Sequence, residues 1–268
     1  MKRGLPDVRL VTEQAAASEH FHREDVGDVV MTTRKSPAKE SVNEDSALIA
    51  RLGRGRLVLA VADGVGGHAA GSVASRLAVE ALAAALEGMP EKGALREAVL
   101  DGIDRANAAV CALASGAATT IAVAVIEDGV VRAYHVGDSH IVAFGGRGKV
   151  KLETIPHSPT GFAVEAGWLE PEEAFTHEER HLVSNVVGSS DMHIAISPPL
   201  RLQPRDTVVV ASDGLFDNLS TGEVVEHARR GPVETAAETL ARLCASSMAG
   251  GGHPDDLTFC VYRPGKRS

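Results

Sequence analysis

Five short stretches of this chain set acidic residues at the ends of β-rich runs. Asp63-Gly64 follows the run 57–62, and Gly137-Asp138-Ser139 separates two β-rich runs. Ser212-Asp213-Gly214 follows 207–211, Asp255-Asp256 precedes 257–260, and Asn43-Glu44-Asp45 precedes 46–50. A single Asp-Gly reads as a turn, because both residue types suit turn dihedrals. Five acidic clusters at strand ends ask for more. Carboxylates gathered at the ends of sheets repel one another unless cations neutralise them. A donor set made of oxygen alone, without Cys or His, suits hard ions such as Mg²⁺ or Mn²⁺. The chemistry open to such a cluster is metal-assisted.

The elements that must position these acids can be read from periodicity. Strands are expected over 28–34, 46–50 and 56–62, the last apolar on both faces and therefore central in a sheet. Helices are expected over 72–86 and 95–114, the second ended by Ser115-Gly116. Strands over 119–126, 130–136 and 140–144 follow, with Glu127-Asp128-Gly129 as a tight turn, so an antiparallel meander is expected. Residues 156–192 are polar, rich in His and Glu, and hold Trp168; they read as a long insertion over the sheet. A strand over 207–212, helices over 221–229 and 233–248, and a strand over 257–262 complete the chain. This order predicts an α+β fold rather than alternating βαβ units. Residues 1–26 read as a separate leader, either a short docked helix around Ala15-Ala16-Ala17 or a loose tail.

Composition narrows the function. The chain has 268 residues with 36 acidic against 27 basic side chains, a formal charge of −9. A nucleic-acid backbone binder needs the opposite balance. One Trp, two Tyr and six Phe are too few for base-stacking platforms. Cys111, Cys244 and Cys260 are scattered and odd in number, which predicts reduced, buried thiols in the cytoplasm rather than a disulfide framework. No signal peptide is expected, because residues 1–14 hold no long apolar stretch, and no membrane span, because the weakly polar run 69–89 is broken by Arg76, Glu80 and Glu87.

Taken in order, Asn43-Glu44-Asp45, Asp63-Gly64-Val65-Gly66-Gly67-His68, Ala118-Thr119-Thr120, Gly137-Asp138-Ser139, Ser212-Asp213-Gly214 and Asp255-Asp256-Leu257-Thr258 resemble the metal-dependent protein serine/threonine phosphatases of type 2C (PPM), in their bacterial branch. The resemblance runs from about Asp28 to Tyr262. It implies a four-layer α-β-β-α sandwich, two central antiparallel sheets flanked by helices. It implies a phosphatase domain over 27–263 with a flap at 156–192, followed by a basic tail at 264–268. It also implies roles. Asp63 matches the carboxylate bridging two metal ions, the Gly64 carbonyl a ligand to one, and Asp213 and Asp255 ligands to the other. Asp138, with Asp213, matches the site of a third, weaker ion. Glu44 and Asp45 match acids that hold metal-bound waters or ligate directly, and Asp256 a supporting residue. The implied cofactors are two Mn²⁺ or Mg²⁺ ions, with that third ion in addition. The implied reaction is attack of a dinuclear-metal-bound hydroxide on a phosphoserine or phosphothreonine ester, without a phosphoenzyme.

Two positions depart from the family pattern. Glu40 stands where the family carries a phosphate-gripping Arg, which predicts a weakened hold on phosphate; Lys39, Lys35 and Arg34 are the candidates to supply the cation, a lysine only as a point charge. Val65 stands where many eukaryotic members carry a His, and His68 is out of register to replace it. Gly66-Gly67-His68-Ala69-Ala70-Gly71 is not a P-loop, since no Gly-Lys-Ser/Thr follows. His157, His177 and His181 in the flap could meet phosphate or metal, or simply be solvated or capping. Trp168 could contact a substrate peptide or anchor the flap. A pseudophosphatase that binds phosphoproteins without turnover, and a phosphatase of small phosphoesters, are the competing readings. The expected setting is a cytoplasmic monomer acting on phosphorylated Ser/Thr proteins opposite a cognate kinase, with neither nucleic acid nor membrane as partner.

Overall fold

The computed structural model describes residues 7–23, 26–53, 55–65, 69–89 and 94–265. In chain order the strands are β1 (Asp7–Thr12), β2 (Ala16–Arg23), β3 (Gly27–Arg34), β4 (Asp45–Gly53) and β5 (Arg56–Val65). Helices α1 (Ala69–Glu87) and α2 (Leu95–Cys111) follow. Next come β6 (Ala118–Thr119), β7 (Ile121–Glu127), β8 (Val130–Val136), β9 (His140–Phe144) and β10 (Val150–Glu153). The insertion carries α3 (Pro159–Glu165) and α4 (Pro171–Phe175), followed by β11 (Ala195–Ile196) and β12 (Leu200–Arg201). The chain closes with β13 (Thr207–Ala211), α5 (Asp213–Phe216), α6 (Thr221–Ala228), α7 (Val233–Ala249) and β14 (Leu257–Pro264).

Two antiparallel sheets form, in the orders β1-β4-β5-β7-β8-β11 and β10-β9-β13-β14-β3-β2. Side-chain alternation along the strands creates three apolar layers. On β5, Val58, Ala60 and Ala62 face α1 and α2, while Leu57, Leu59 and Val61 face the second sheet. On β13, Val208 and Val210 face the first sheet, while Val209 and Ala211 face α6 and α7. The result is the expected α-β-β-α sandwich. It explains why residues 57–62 are apolar without alternation: both faces of β5 are covered.

Several expectations need correction. Described leader residues are neither helix nor tail. β1 pairs with β4 and β2 with β3, so the segment completes one edge of each sheet. The alanine run favours helix locally, but two open edges with unpaired backbone groups override it. The meander stops after β8, because β9 crosses into the second sheet and pairs with β13. The helix expected to reach residue 114 ends at Cys111; beyond Val110 its apolar stripe finds no core, and Leu113 is 37% exposed. The strand expected over 119–126 is interrupted at Thr120, where it meets Asp63. Cys244 and Cys260 are buried, and burial pushes both thiols up to about 12, but Cys111 is exposed. Among the described residues no helix is long and apolar enough to cross a membrane.

Candidate metal centre

The acids meet at one end of the sandwich. Asp45 and Asp63 are direct cross-strand partners in the β4–β5 ladder. Asp213 opens α5 where β13 ends, and Asp255-Asp256 lead into β14, the neighbour of β13. The turn 137–139 carries Asp138 from the first sheet to the second. Glu44, Asp45 and Asp256 are buried, while Asp63, Asp138, Asp213 and Asp255 keep partial access to solvent.

Several of the acids are held by their backbone or by a named neighbour. The Asp63 amide donates to Thr120 Oγ1 (3.0 Å), and its carbonyl accepts from the Thr120 amide (2.8 Å) and from Thr119 Oγ1 (2.6 Å). The side chain of Thr120 thus replaces a strand carbonyl at the point where the ladder breaks. Thr120 Oγ1 also meets Ser139 Oγ at 2.6 Å, tying the Asp138 turn to Asp63. Ser212 Oγ donates to Asp45 Oδ2 (2.8 Å) and accepts from the Thr258 amide (3.1 Å). Asp256 accepts from the amides of Ser36 (2.7 Å) and Glu44 (2.8 Å), so its carboxylate organises the loop 36–44.

Electrostatics follow from this crowding. Burial, then the charge of Asp256, raises the Asp45 carboxyl well above the ordinary range. Burial, then Asp45 and Asp255, does the same to Asp63. Asp213 is raised by burial and by Asp63, Asp138 and Asp255. Asp138 is pushed up to about 7 by burial, with Asp217 and Asp255 adding to the push. Among the described residues, Lys39 reaches three of these acids. Its Nζ lies 2.8 Å from Asp255 Oδ1, 3.1 Å from Glu44 Oε2 and 3.1 Å from Asp256 Oδ2. Burial disfavours its charge, but the bonds and charges of Asp255 and Asp256 outweigh that and raise its pKa above that of an ordinary lysine.

The residues present fit a hard divalent cation. Three buried carboxylate oxygens, Glu44 Oε1, Asp45 Oδ1 and Asp213 Oδ1, have no hydrogen-bond partner, a state buried polar atoms rarely keep. A Cβ on Gly71 would stand 2.8 Å from the Gly64 carbonyl oxygen and 2.9 Å from Glu44 Oε1. Glycine at 71 leaves open the place where those two oxygens converge. As they stand, no three His, Cys, Asp or Glu side chains among the described residues form a ready metal cage.

Not every sequence-predicted residue joins the cluster. Arg34 is exposed and shares the face of β3 that carries Val30, toward α7, where it acts on the Cys244 thiol. Glu40 is exposed, and its carbonyl accepts from Lys35 Nζ (3.2 Å). Trp168 is 86% exposed and anchors nothing. His177 accepts from the Glu179 amide as a local cap, and His181 is exposed. His68 lies outside the described residues. Asp217 was missed. It sits four residues after Asp213 on the α5 turn, a spacing that places two side chains on one face, and pairs with Arg180 of the insertion at 3.5 Å.

Comparison with known proteins bears on the family and the fold. A family model described as protein phosphatase 2C matches residues 34–246. The serine/threonine protein phosphatase PstP of Mycobacterium tuberculosis is 31% identical over 229 residues, which cover 82% of this chain and 41% of that protein. The chain therefore spans less than half the length of that curated relative. The serine/threonine phosphatase structure of S. agalactiae superposes with a TM-score of 0.78 at 25% identity, covering 88% of this chain and 98% of that one. The catalytic domain of PstP, solved in complex with two manganese ions, gives a TM-score of 0.69 at 25% identity, covering 96% and 98%. With the ordered acidic motifs at one end of a double sheet and a family match over most of its length, the chain belongs to the bacterial branch of the type 2C (PPM) metal-dependent serine/threonine phosphatases.

Proposed function

We propose that this protein hydrolyses phosphoserine and phosphothreonine esters of proteins, using two Mn²⁺ or Mg²⁺ ions and a third, weaker one. The observation that carries this reading is the set of partnerless buried oxygens on Glu44, Asp45 and Asp213, where burial, and then neighbouring acids, raise the Asp45 and Asp213 carboxyls. A related catalytic domain holding two manganese ions supports it. When bound, such ions lower the pKa of a shared water and neutralise phosphoryl oxygens.

The chain's own residues have separable tasks. Asp63 would serve both ions, the Gly64 carbonyl would help hold one, and Asp213 and Asp255 would help hold the other. Asp138 serves the weaker position together with Asp213. Asp45, fixed by Ser212, and Glu44, fixed through its own amide by Asp256, orient water or ligate directly. Ser212 is not a nucleophile, because its buried hydroxyl is committed to Asp45 and Thr258. Lys39 is the cation within reach of a phosphate beside Asp255; Arg34 lies on the opposite face of its strand. The flap over 156–192 borders the site through Arg180 and Asp217. A cytoplasmic monomer opposing a Ser/Thr kinase is the setting we propose.

A second reading has one observation in its favour. Lys39 already pairs with three of the acids, as a binding module without turnover would allow. Mn²⁺-titrated hydrolysis of phosphothreonine peptides by wild type and Asp63→Asn separates the two. Metal-dependent turnover that falls at least a thousandfold in the variant supports the enzyme. Absence of metal-dependent turnover on a panel of phosphopeptides overturns it.

A further inference from the structure

The turn that carries Asp138 is gripped from the flap by one residue, through its backbone amide and its ring. The Gly137 carbonyl accepts from the His157 amide (3.0 Å), and the Gly137 amide donates to His157 Nδ1 (3.1 Å). Both polar groups of Gly137 are therefore satisfied by the same residue. Gly137 needs to be glycine here, because its φ is 98° and a Cβ would meet Thr120 Cγ2 at 2.6 Å.

His157 is itself fixed. Asn185 Nδ2 lies 2.8 Å from His157 Nδ1 and donates to the His193 carbonyl (2.7 Å), while Asn185 Oδ1 accepts from the His193 amide (3.2 Å). The His193 contacts set the amide orientation, since a flip would face oxygen with oxygen. Two N–H donors then aim at Nδ1, so that nitrogen carries the lone pair and the ring proton sits on Nε2. The ring stacks on His135 (centroids 4.4 Å apart) and meets His193 at 4.9 Å. It is buried, and burial with those two neighbouring rings lowers its pKa to about 4, in keeping with a neutral acceptor.

We infer that His157, clamped by Asn185, is a positioning residue: it fixes the Gly137–Asp138 turn from the flap and so sets where the Asp138 carboxylate stands relative to Asp213 and Asp255. The chain of contacts is continuous. It runs from His193 and Asn185 through His157 to Gly137, and from Ser139 through Thr120 to the Asp63 backbone. Residues 157, 185 and 193, far from the acids in sequence, thereby act on the cation site without touching it. The inference rests on the proposed role of Asp138 in the weaker ion position.

The test uses the full chain and four variants: His157→Ala, His157→Asn, Asn185→Ala and, as reference, Asp138→Ala. Asparagine keeps an acceptor oxygen that can receive the Gly137 amide. Calorimetric Mn²⁺ titration reads the weak and strong sites separately, kinetics on a phosphopeptide reads kcat and KM, and amide hydrogen exchange reads Gly137 directly. We expect His157→Ala to weaken the weak site about tenfold, leave the strong sites within twofold, and lower kcat about tenfold with KM unchanged. Asparagine should restore both within threefold, and Gly137 exchange should quicken in His157→Ala. If His157→Ala does not fold, Asn185→Ala carries the same readouts with expected losses of about threefold. Unchanged weak-site affinity and kcat in a folded His157→Ala, or in Asn185→Ala where it stands in, overturns the inference, as does failure of asparagine to rescue at unchanged Tm. If Asp138→Ala itself leaves the weak site intact, the assignment of Asp138 fails instead, and Gly137 exchange still decides whether His157 holds the turn.

Discussion

Asp45 and Asp63 stand directly opposite each other in the β4–β5 ladder, two carboxylates where a sheet normally avoids like charges. Both carboxyls are raised, first by burial and then by neighbouring acids. The cluster is thus a stored repulsion that a cation relieves.

That repulsion makes stability depend on pH. A carboxyl whose folded pKa is raised contributes stability at low pH and loses it as pH rises through the folded value. For Asp138 that value is about 7. His157 works in the opposite sense, but a group lowered to about 4 has lost its effect once pH exceeds the ordinary histidine range near 6.5. His135, lowered chiefly by burial, behaves as His157 does, so from about pH 6.5 toward pH 8 the raised carboxyls set the trend. In chelator, Tm should fall across this window by roughly 2–4 °C for each kcal/mol of lost stability. Added Mn²⁺ should flatten the profile. Thermal melts at several pH values with and without chelator check this, and a flat profile in chelator contradicts it.

Lys39 pairs with Asp255, Glu44 and Asp256, oxygens that a divalent cation would also draw on. Lys39→Met should therefore raise Mn²⁺ affinity several-fold in calorimetry, since a competing charge is gone. It should also raise KM for phosphopeptides if Lys39 meets the substrate phosphate as proposed. Unchanged values of both would remove Lys39 from either role.

Glu40 is exposed on the loop that Asp256 organises. Glu40→Arg should lower KM for aryl phosphates and phosphopeptides by about tenfold, the effect of a bidentate fork in place of a repelling carboxylate. Metal affinity should stay within twofold. An unchanged KM would show that the position does not face the phosphate.

β1 and β2 cover the edges of β4 and β3. Deleting residues 1–23 should expose both edges, lower Tm by more than 10 °C and promote concentration-dependent association. Light scattering and melting curves read the outcome. A monomeric variant of unchanged Tm would make the leader dispensable.

Much of the site was legible because its chemistry is local. An acidic residue at a strand end is a recognisable unit, beside glycine in three of the five clusters, and the order of the five carries the family resemblance that singles out Asp63, Asp138, Asp213 and Asp255. Strands with both faces buried announced themselves through unbroken apolar runs, as 57–62 does. The leader was misread because its strand character is borrowed. Ala15-Ala16-Ala17 prefers helix in isolation, and only the unpaired edge of β3 makes β2 extended. Asp217 and the pair His157–Asn185 were missed as partners because nothing in their spacing brings flap and cluster together.

The sequence by itself determined the inventory of oxygen donors, the double-sided core of β5 and the order of the acidic motifs, since these depend on residue type and short-range periodicity. Tertiary structure alone decided that Asp45 faces Asp63, that Lys39 turns into the acids while Arg34 turns away, and that His157 holds the Asp138 turn. Those facts depend on strand register, strand face and long-range hydrogen bonds. Such relations bring together groups as far apart in sequence as Ser36 and Asp256, 220 residues, and only the closed fold fixes them.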